Sequence, residues 1–125
     1  MIEASVATGA LAGKTVGRQS DPELSIVIVN WNTRDLLARC IDAIREHGTS
    51  VDYDIWVVDN ASTDSSVEYL RSEIPWVHVL EAGRNLGFAG ANNWAMAECR
   101  GRYILLLNSD AFLLPGTLEA LLATA

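Results

Sequence analysis

The sequence predicts an α/β fold: a Rossmann-like, mostly parallel sheet with helices on both faces. Short apolar runs alternate with segments whose apolar residues recur every three or four positions, and this alternation is typical of a parallel sheet built from β-α-β units. The first run, residues 24–29, is almost continuously hydrophobic, as expected for a strand that is covered on both faces. The 125 residues suit one domain, and the 50% that are hydrophobic can form a real core.

Four strands and four helices are predicted from residue 24 onward. The strands cover residues 24–29, 55–58, 77–80 and 103–107. The helices run from a cap at Asn32 or Thr33 to Gly48, from a cap at Ser62 or Asp64 to Pro75, from Ala89 to Cys99, and onward from Pro115. Residues 1–22 are rich in Ala, Gly, Ser and Thr and show no clear period, so we expect a flexible leader before a folded part at 23–125.

Composition excludes several classes of protein. The formal net charge of −7 disfavours nonspecific binding to nucleic acid or to an anionic membrane, since both need basic patches. No apolar run approaches the roughly 20 residues of a membrane span, and the N-terminus lacks the basic segment of a signal peptide. We therefore expect a cytoplasmic protein, with the inner face of the membrane as an alternative location, and no nucleic-acid partner. Cys40 and Cys99 lack metal-ligand spacing and are expected to be buried thiols.

Polar residues follow all four predicted strands. They are Asn30 and Asn32 after the first strand, Asp59 and Asn60 after the second, Arg84 and Asn85 after the third, and Asn108 and Asp110 after the fourth. In open parallel sheets, ligands bind beyond the carboxyl ends of the strands. One polar strand end would be ordinary loop chemistry, whereas four at one edge predict a binding site.

The segment Asn108-Ser109-Asp110 directly follows an apolar strand and has no basic residue beside it. Mg²⁺ and Mn²⁺ prefer oxygen ligands and often bind one or two carboxylates together with substrate phosphates. Asp110 is therefore a candidate metal ligand. The alternative is an Asx-turn that ends the strand.

Two further strand ends carry candidate ligand contacts. Asp59 is placed to accept hydrogen bonds from a nucleobase or a ribose, whereas Asp64 is expected to cap a helix. Arg84 and Asn85 lie in a loop bracketed by glycines, just before a helix N-terminus, which favours anions. A plain turn is the alternative for this loop.

Aromatic residues divide into one candidate contact and several core positions. Trp31 stands just beyond the first strand, where its ring either stacks on a nucleobase or lies partly buried under the first helix. Trp56 and Trp94 are expected in the core. His47 and His78 have no partner at a useful spacing in the sequence.

Three other phosphate- or nucleotide-binding folds are disfavoured. Residues 9–15 resemble a P-loop but have one residue too few between the glycines, and no predicted strand precedes them. Residues 83–90 do not form the G-x-G-x-x-G motif of dinucleotide-binding folds. A phosphoacceptor receiver domain shares the predicted topology, but it needs a Lys near the phosphorylated Asp, and the only Lys is Lys14 in the predicted leader.

Four segments occur in a characteristic order: LSIVIVNWN at 24–32, VVDNASTD at 57–64, RNLGFAGANN at 84–93 and LLNSD at 106–110. Together they resemble family 2 glycosyltransferases, and most closely their bacterial rhamnosyltransferase-like branch, over about residues 24–122. The resemblance implies the nucleotide-sugar-binding half of a GT-A fold. It also implies an inverting enzyme of cell-wall or polysaccharide biosynthesis, which transfers a sugar from a nucleotide-diphosphate sugar to a saccharide or lipid-linked hydroxyl.

The resemblance also implies a role for each strand end. It assigns the nucleotide to seven residues: Val29, Asn30 and Trp31 for the base, Asp59 for the base or ribose, and Arg84, Asn85 and Asn108 nearby. Asp110 would be the main ligand of Mg²⁺ or Mn²⁺, because Asn108 stands where the family's D-x-D motif has its first acidic residue.

Family members continue into an acceptor half that supplies the general base, usually an acidic residue. We expect this half to be absent from the chain, and no catalytic residue is assigned. The alternative function is a non-catalytic nucleotide-binding or assembly module. Apolar surface left uncovered by a missing half would encourage self-association.

Overall fold

The computed structural model of the protein describes residues 9–14 and 21–124, and this part of the chain forms five strands and four helices. The strands are β1 (Gly9–Lys14), β2 (Leu24–Asn30), β3 (Tyr53–Asp59), β4 (His78–Glu81) and β5 (Tyr103–Asn108). The helices are α1 (Arg34–His47), α2 (Ser66–Glu73), α3 (Gly87–Glu98) and α4 (Thr117–Ala123). Each predicted strand and helix is present, with bounds that differ from the predicted ones by a few residues.

Four strands run parallel and lie side by side in the order β5, β2, β3, β4. Their carboxyl ends therefore meet at one edge of the sheet, which we call the carboxyl edge. The register brings the ends level, because Asn30 pairs with Asp59, Asp59 with Glu81, and Val29 with Asn108. The predicted α/β fold with a mostly parallel sheet is confirmed.

Helices cover both faces of the sheet, as predicted. On one face, Leu37 and Ile41 of α1 pack in a buried cluster with Ile28 of β2. On the other face, Ala95 of α3 packs in a second cluster with Val27 of β2. Because successive side chains of a strand point to opposite faces, both faces of β2 must be apolar, which accounts for its continuous hydrophobic run.

Part of the predicted leader forms the strand β1 and is docked on the sheet. It runs antiparallel to β5, from Gly9 opposite Leu107 to Lys14 opposite Tyr103, with an irregularity between Leu11 and Gly13. Its pairing satisfies N–H and C=O groups along the outer side of β5, which would otherwise form an open edge. The remainder of the predicted leader, residues 1–8 and 15–20, lies outside the described residues.

A ring contact lies at the opposite end of the sheet. His78 stacks on Trp56 with ring centroids 4.2 Å apart, and its Nε2 lies 3.9 Å from Asp54 Oδ2. His78 is exposed, and the register places it opposite Trp56 on the neighbouring strand, a pairing that sequence spacing does not show. Trp56 and Trp94 are half-buried against the cluster on the α3 face, and both cysteines are buried.

Helix length bears on membrane insertion. The longest helix, α1, has 14 residues. No helix in the described part of the chain is long and apolar enough to cross a membrane.

A substitution at Gly101 tests the close packing of this residue against Ser25 of β2. The Gly101 amide donates to Ser25 Oγ at 2.9 Å, and a Cβ at Gly101 would lie 2.4 Å from the Ser25 backbone nitrogen. Since backbone must move to relieve this clash, Gly101→Ala should lower the free energy of unfolding by about 1–3 kcal/mol in urea titration. The control is Gly90→Ala in α3, whose Cβ would meet nothing nearer than 3.4 Å and should be neutral or stabilising. Equal stability of the two variants would contradict this account.

Candidate functional site

The side chains of Asn30 and Asp59 join the carboxyl ends of β2 and β3. Asn30 Nδ2 donates to Asp59 Oδ1 at 2.9 Å, and the Ser62 amide donates to Asp59 Oδ2 at 2.9 Å. Asn30 and Asp59 are 0% and 3% exposed. A buried carboxylate is costly unless it is hydrogen-bonded, so these donors are what allow Asp59 to lie inside the sheet edge.

The loops after β2 and β3 are tied to each other by a second set of bonds. The Asn32 amide donates to Ser62 Oγ at 2.9 Å, and the Thr63 amide donates to Asn32 Oδ1 at 2.7 Å. Asn32, Ala61 and Ser65 have positive φ, and they are the only non-glycine residues of the described part that do. Left-handed backbone at such residues persists where the surrounding contacts over-determine it, and it concentrates at functional sites.

Asp64 holds the first turns of two helices. Its Oδ2 accepts from the Arg34 amide of α1 at 2.9 Å, and its Oδ1 accepts from the Ser66 amide of α2 at 3.1 Å. Burial opposes ionisation of Asp64, but the hydrogen bonds from Ser66 and Arg34 outweigh it and lower the pKa of the carboxyl. The N-cap of α2 is Ser65, whose side chain makes no capping bond, so the predicted cap Asp64 acts from one residue earlier, on the Ser66 amide. A cavity of about 280 Å³ adjoins this junction and is lined by residues 32–36 and Asp64.

Asp110 lies exposed just beyond β5, and no ion pair among the described residues involves its carboxylate. A backbone turn, in which the Ala111 amide donates to the half-buried Asn108 carbonyl at 3.0 Å, presents it. Cys40 Sγ on α1 lies 3.8 Å from the same carbonyl. Burial and, secondarily, the charge of Asp110 raise the pKa of Cys40 to about 12.

The loop that carries Arg84 and Asn85 is fastened to β3 by Asn60. The Leu86 amide donates to Asn60 Oδ1 at 3.1 Å, and Asn60 Nδ2 donates to the Gly87 carbonyl at 3.3 Å. Asn85 Oδ1 accepts from the Gly87 amide at 2.8 Å and so closes the turn that opens α3. Arg84 is exposed, and no ion pair among the described residues includes it.

Val29 and Trp31 flank Asn30 in different ways. Val29 is half-buried and packs against the cluster on the α3 face, so it presents mainly backbone at the edge. Trp31 is 57% exposed, so part of its surface is covered and the larger part is open to a ligand. The positive φ of Asn32, 53°, lies in the turn that follows Trp31.

The predicted site residues line one edge but do not all meet. The Asn30–Asp59 pair lies at the centre, Asn108 and Asp110 follow β5 on one side, and Arg84 with Asn85 follows β4 on the other. Three interstrand steps separate β5 from β4, roughly 14 Å at the usual strand spacing. Only an elongated ligand can therefore contact both ends of the edge.

The residues at this edge fit a hard cation only if a ligand completes its coordination. No group of three His, Cys, Asp or Glu side chains within residues 21–124 comes close enough to hold an ion. A single exposed carboxylate such as Asp110 suits Mg²⁺ or Mn²⁺ when ligand phosphates and water complete the coordination. The edge therefore fits a cation that arrives with an anionic ligand.

Sequence reasoning placed Thr33, Asn60 and Ser62 near the strand ends but missed the hydrogen bonds by which these side chains organise this edge. Each lies within three residues of a strand end, which is the signal that was available. Each of them also has a partner 26 to 76 positions away in the chain, as for Leu86 with Asn60 and for Thr33 with Ser109, and these long-range pairings follow only from the fold.

Comparison with known proteins gives one family. The family described as "Glycosyl transferase family 2" matches residues 25–125. The poly(ribitol-phosphate) beta-glucosyltransferase of Bacillus spizizenii is 36% identical over 96 residues, which are 73% of this chain and 15% of that protein. The crystal structure of S. aureus TarS 1-349 in complex with UDP aligns with a TM-score of 0.70 at 20% identity, over 81% of this chain and 31% of that one.

A second solved structure shows the same architecture. The mannosyltransferase PcManGT from Pyrobaculum calidifontis, in complex with GDP-Man and Mn²⁺, aligns with a TM-score of 0.66 at 22% identity, over 83% of this chain and 32% of that one. The predicted GT-A-like fold is confirmed by these structures. The chain spans 15% of the length of the curated relative and less than a third of either solved chain. Since the family match covers residues 25–125, this chain belongs to glycosyl transferase family 2.

Proposed function

We propose that this chain is the donor-binding half of an inverting glycosyltransferase, which transfers a sugar from a nucleotide-diphosphate sugar to a saccharide or lipid-linked hydroxyl. The arrangement of the carboxyl edge carries the proposal. A buried Asn30–Asp59 pair stands at its centre, an exposed carboxylate, Asp110, at one end, and an exposed guanidinium, Arg84, at the other. A nucleotide-diphosphate sugar is elongated, with a hydrogen-bonding base and ribose at one end and an anionic diphosphate beyond them.

In this proposal the base and ribose bind around Asp59 and residues 29–31. Asn30 and Ser62 occupy one lone pair on each Asp59 oxygen, so a carboxylate retains acceptor capacity for a ligand that packs against the edge. The exposed Trp31 ring offers a stacking surface. Arg84, Asn85 and Asn108 line the remainder of the nucleotide. The TarS structure in complex with UDP supports a nucleotide at such a site.

Asp110 would hold Mg²⁺ or Mn²⁺ together with the diphosphate. When bound, the ion would neutralise the diphosphate and stabilise charge on the leaving group. Asp110 supplies the ligand from a turn that is fixed on β5 by the Asn108 carbonyl, so the position of the carboxylate is set by the sheet. The PcManGT structure, in complex with GDP-Man and Mn²⁺, supports this assignment.

The general base and the acceptor site would come from a further half of the enzyme. In-line attack needs a base within about 3 Å of the acceptor hydroxyl. After Asp110 the sequence has one acidic residue, Glu119, which is exposed on α4 and bound to the Ser50 hydroxyl. That hydrogen bond is the main cause that lowers the pKa of Glu119, which makes the side chain a weaker base. No catalytic residue is therefore assigned within this chain.

A non-catalytic nucleotide-binding or assembly module is the competing proposal. Between residues 21 and 124, five large apolar side chains are exposed: Trp31, Trp76, Phe88, Phe112 and Leu114. Such surface favours association with another chain or copy. The receiver-domain alternative is disfavoured, because Lys14 pairs with Tyr103 at the start of β5, far from Asp110. We propose a cytoplasmic location, or one at the inner face of the membrane. Because the sequence resembles the rhamnosyltransferase-like branch, the donors tested should include nucleotide-diphosphate rhamnose.

Asp110→Ala should remove the dependence of nucleoside diphosphate binding on Mn²⁺ and leave the melting temperature unchanged, because the side chain is exposed and outside any ion pair. Calorimetric titration with UDP and with GDP, each with and without Mn²⁺, measures the effect. Asp42→Ala, at an exposed position on α1, is the matched control and should keep the metal response. A metal response that survives in Asp110→Ala would refute the assignment.

The 125-residue chain should bind a nucleotide-diphosphate sugar without transferring the sugar. A positioned base contributes about 10²–10⁴-fold in rate, and loss of acceptor orientation should cost more. Radiolabelled donors tested against saccharide and lipid-linked acceptors would show binding and, at most, slow hydrolysis of the donor. Robust transfer by the chain alone would show that the base lies within it. Absence of any donor or nucleotide binding would overturn the donor-binding proposal.

A further inference from the structure

One hydroxyl joins the ends of β2 and β5. Thr33 Oγ1 donates to Asn30 Oδ1 at 2.7 Å and lies 2.9 Å from Ser109 Oγ. Thr33 occupies the N-cap of α1, where a threonine side chain usually accepts from an amide of its own helix, but it makes no such bond. Asp64, from the next loop, receives the Arg34 amide. The Thr33 hydroxyl makes no capping bond and connects strand ends.

The bonds around Thr33 have a fixed direction. A hydroxyl has a single hydrogen, and that of Thr33 goes to Asn30, so Ser109 must be the donor in its contact with Thr33. Asn30 in turn donates through Nδ2 to the Asp59 carboxylate. The result is a one-way chain of hydrogen bonds from Ser109 through Thr33 and Asn30 to Asp59, in which each bond polarises the next.

We propose that Thr33 is a positioning residue that couples the metal end of the carboxyl edge to its nucleotide end. Ser109 adjoins Asp110, the proposed metal ligand, and Asn30 holds Asp59, the proposed base or ribose contact, so this inference rests on the proposed function. Thr33 acts through its two neighbours: it fixes the turn that presents Asp110 relative to the buried pair. Ser109 commits its hydrogen to Thr33 and keeps its lone pairs free to accept.

The coupling has a measurable consequence. If a ligand orders one end of this hydrogen-bond chain, the other end is held in its binding geometry. Metal and nucleotide therefore raise each other's affinity by the same factor. Breaking the chain at Thr33 removes part of that factor. A purely structural hydroxyl would instead lower the melting temperature and leave the factor unchanged.

Thr33→Val tests the coupling, because valine keeps the shape and removes the hydroxyl. The dissociation constants of UDP and of GDP are measured by calorimetry with the 125-residue chain, without metal and with saturating Mn²⁺. For each nucleotide, the dissociation constant without metal divided by that with Mn²⁺ gives the coupling ratio. One net hydrogen bond corresponds to about fivefold in an equilibrium constant, so the ratio should fall by about fivefold in Thr33→Val. Thr33→Ser should restore it, and Ser109→Ala, which breaks the chain at its other member, should match Thr33→Val.

Thr117→Val is the matched control for loss of a threonine hydroxyl. Thr117 is fully buried at the start of α4, and its hydroxyl accepts from the Leu114 amide at 3.3 Å. The control should lower the melting temperature and keep the wild-type ratio. An unchanged ratio in Thr33→Val, or an equal fall in Thr117→Val, would overturn the coupling role.

A ligand-free measurement separates this inference from the proposed function. In ¹⁵N NMR spectra of the free protein, Thr33→Val should shift the amide resonances of Ser109 and Asp110, whereas Thr117→Val should not. Unchanged Ser109 and Asp110 resonances would overturn the hydrogen-bond chain itself. If these resonances shift but wild-type nucleotide binding ignores Mn²⁺, the proposed metal function is wrong and the coupling role falls with it.

Discussion

The hydrogen bond between Asn30 and Asp59 is the interaction on which the carboxyl edge depends. The parallel register brings these residues level, and both side chains are buried, so Asp59 needs its donors to offset the cost of burying a carboxylate. The bond also fixes the amide of Asn30, whose oxygen is then directed to Thr33. Because Thr33 reaches Ser109, the turn that carries Asp110 is positioned from this same pair.

Electrostatics supports the proposal that a cation binds at this edge. The chain has a formal net charge of −7, and a diphosphate beside Asp110 would be repelled unless positive charge lay between them. Arg34 cannot readily supply it, since its guanidinium is bound to the Asp64 carbonyl at 3.1 Å and to Asp35 at 3.4 Å. Arg84 is exposed, but it follows β4, three strands from β5. The proposed divalent ion, bound by Asp110 and phosphate oxygens, would supply this positive charge.

The strands, the helices and the polar strand ends were predictable because hydrophobic periodicity and parallel topology are both written in local sequence. The strand β1 was not, since a Gly- and Ala-rich segment has weak strand propensity and its partner, β5, lies about ninety residues further along the chain. The stacking of His78 on Trp56 and the bridge through Thr33 depend on pairing between distant segments. The exposure of Trp31 follows a turn in which Asn32 adopts a positive φ, which residue type alone does not dictate.

A nucleotide titration followed by ¹⁵N NMR tests the central claim that one elongated ligand lies along the carboxyl edge. With UDP or GDP and Mg²⁺, amide shifts should concentrate in the loops after β2, β3, β4 and β5. Replacing Mg²⁺ by paramagnetic Mn²⁺ should broaden resonances around Asp110 first, and those around Arg84 less. Shifts centred on Asp54, Trp56 and His78 at the opposite end of the sheet, or broadening that is not centred on Asp110, would contradict the account.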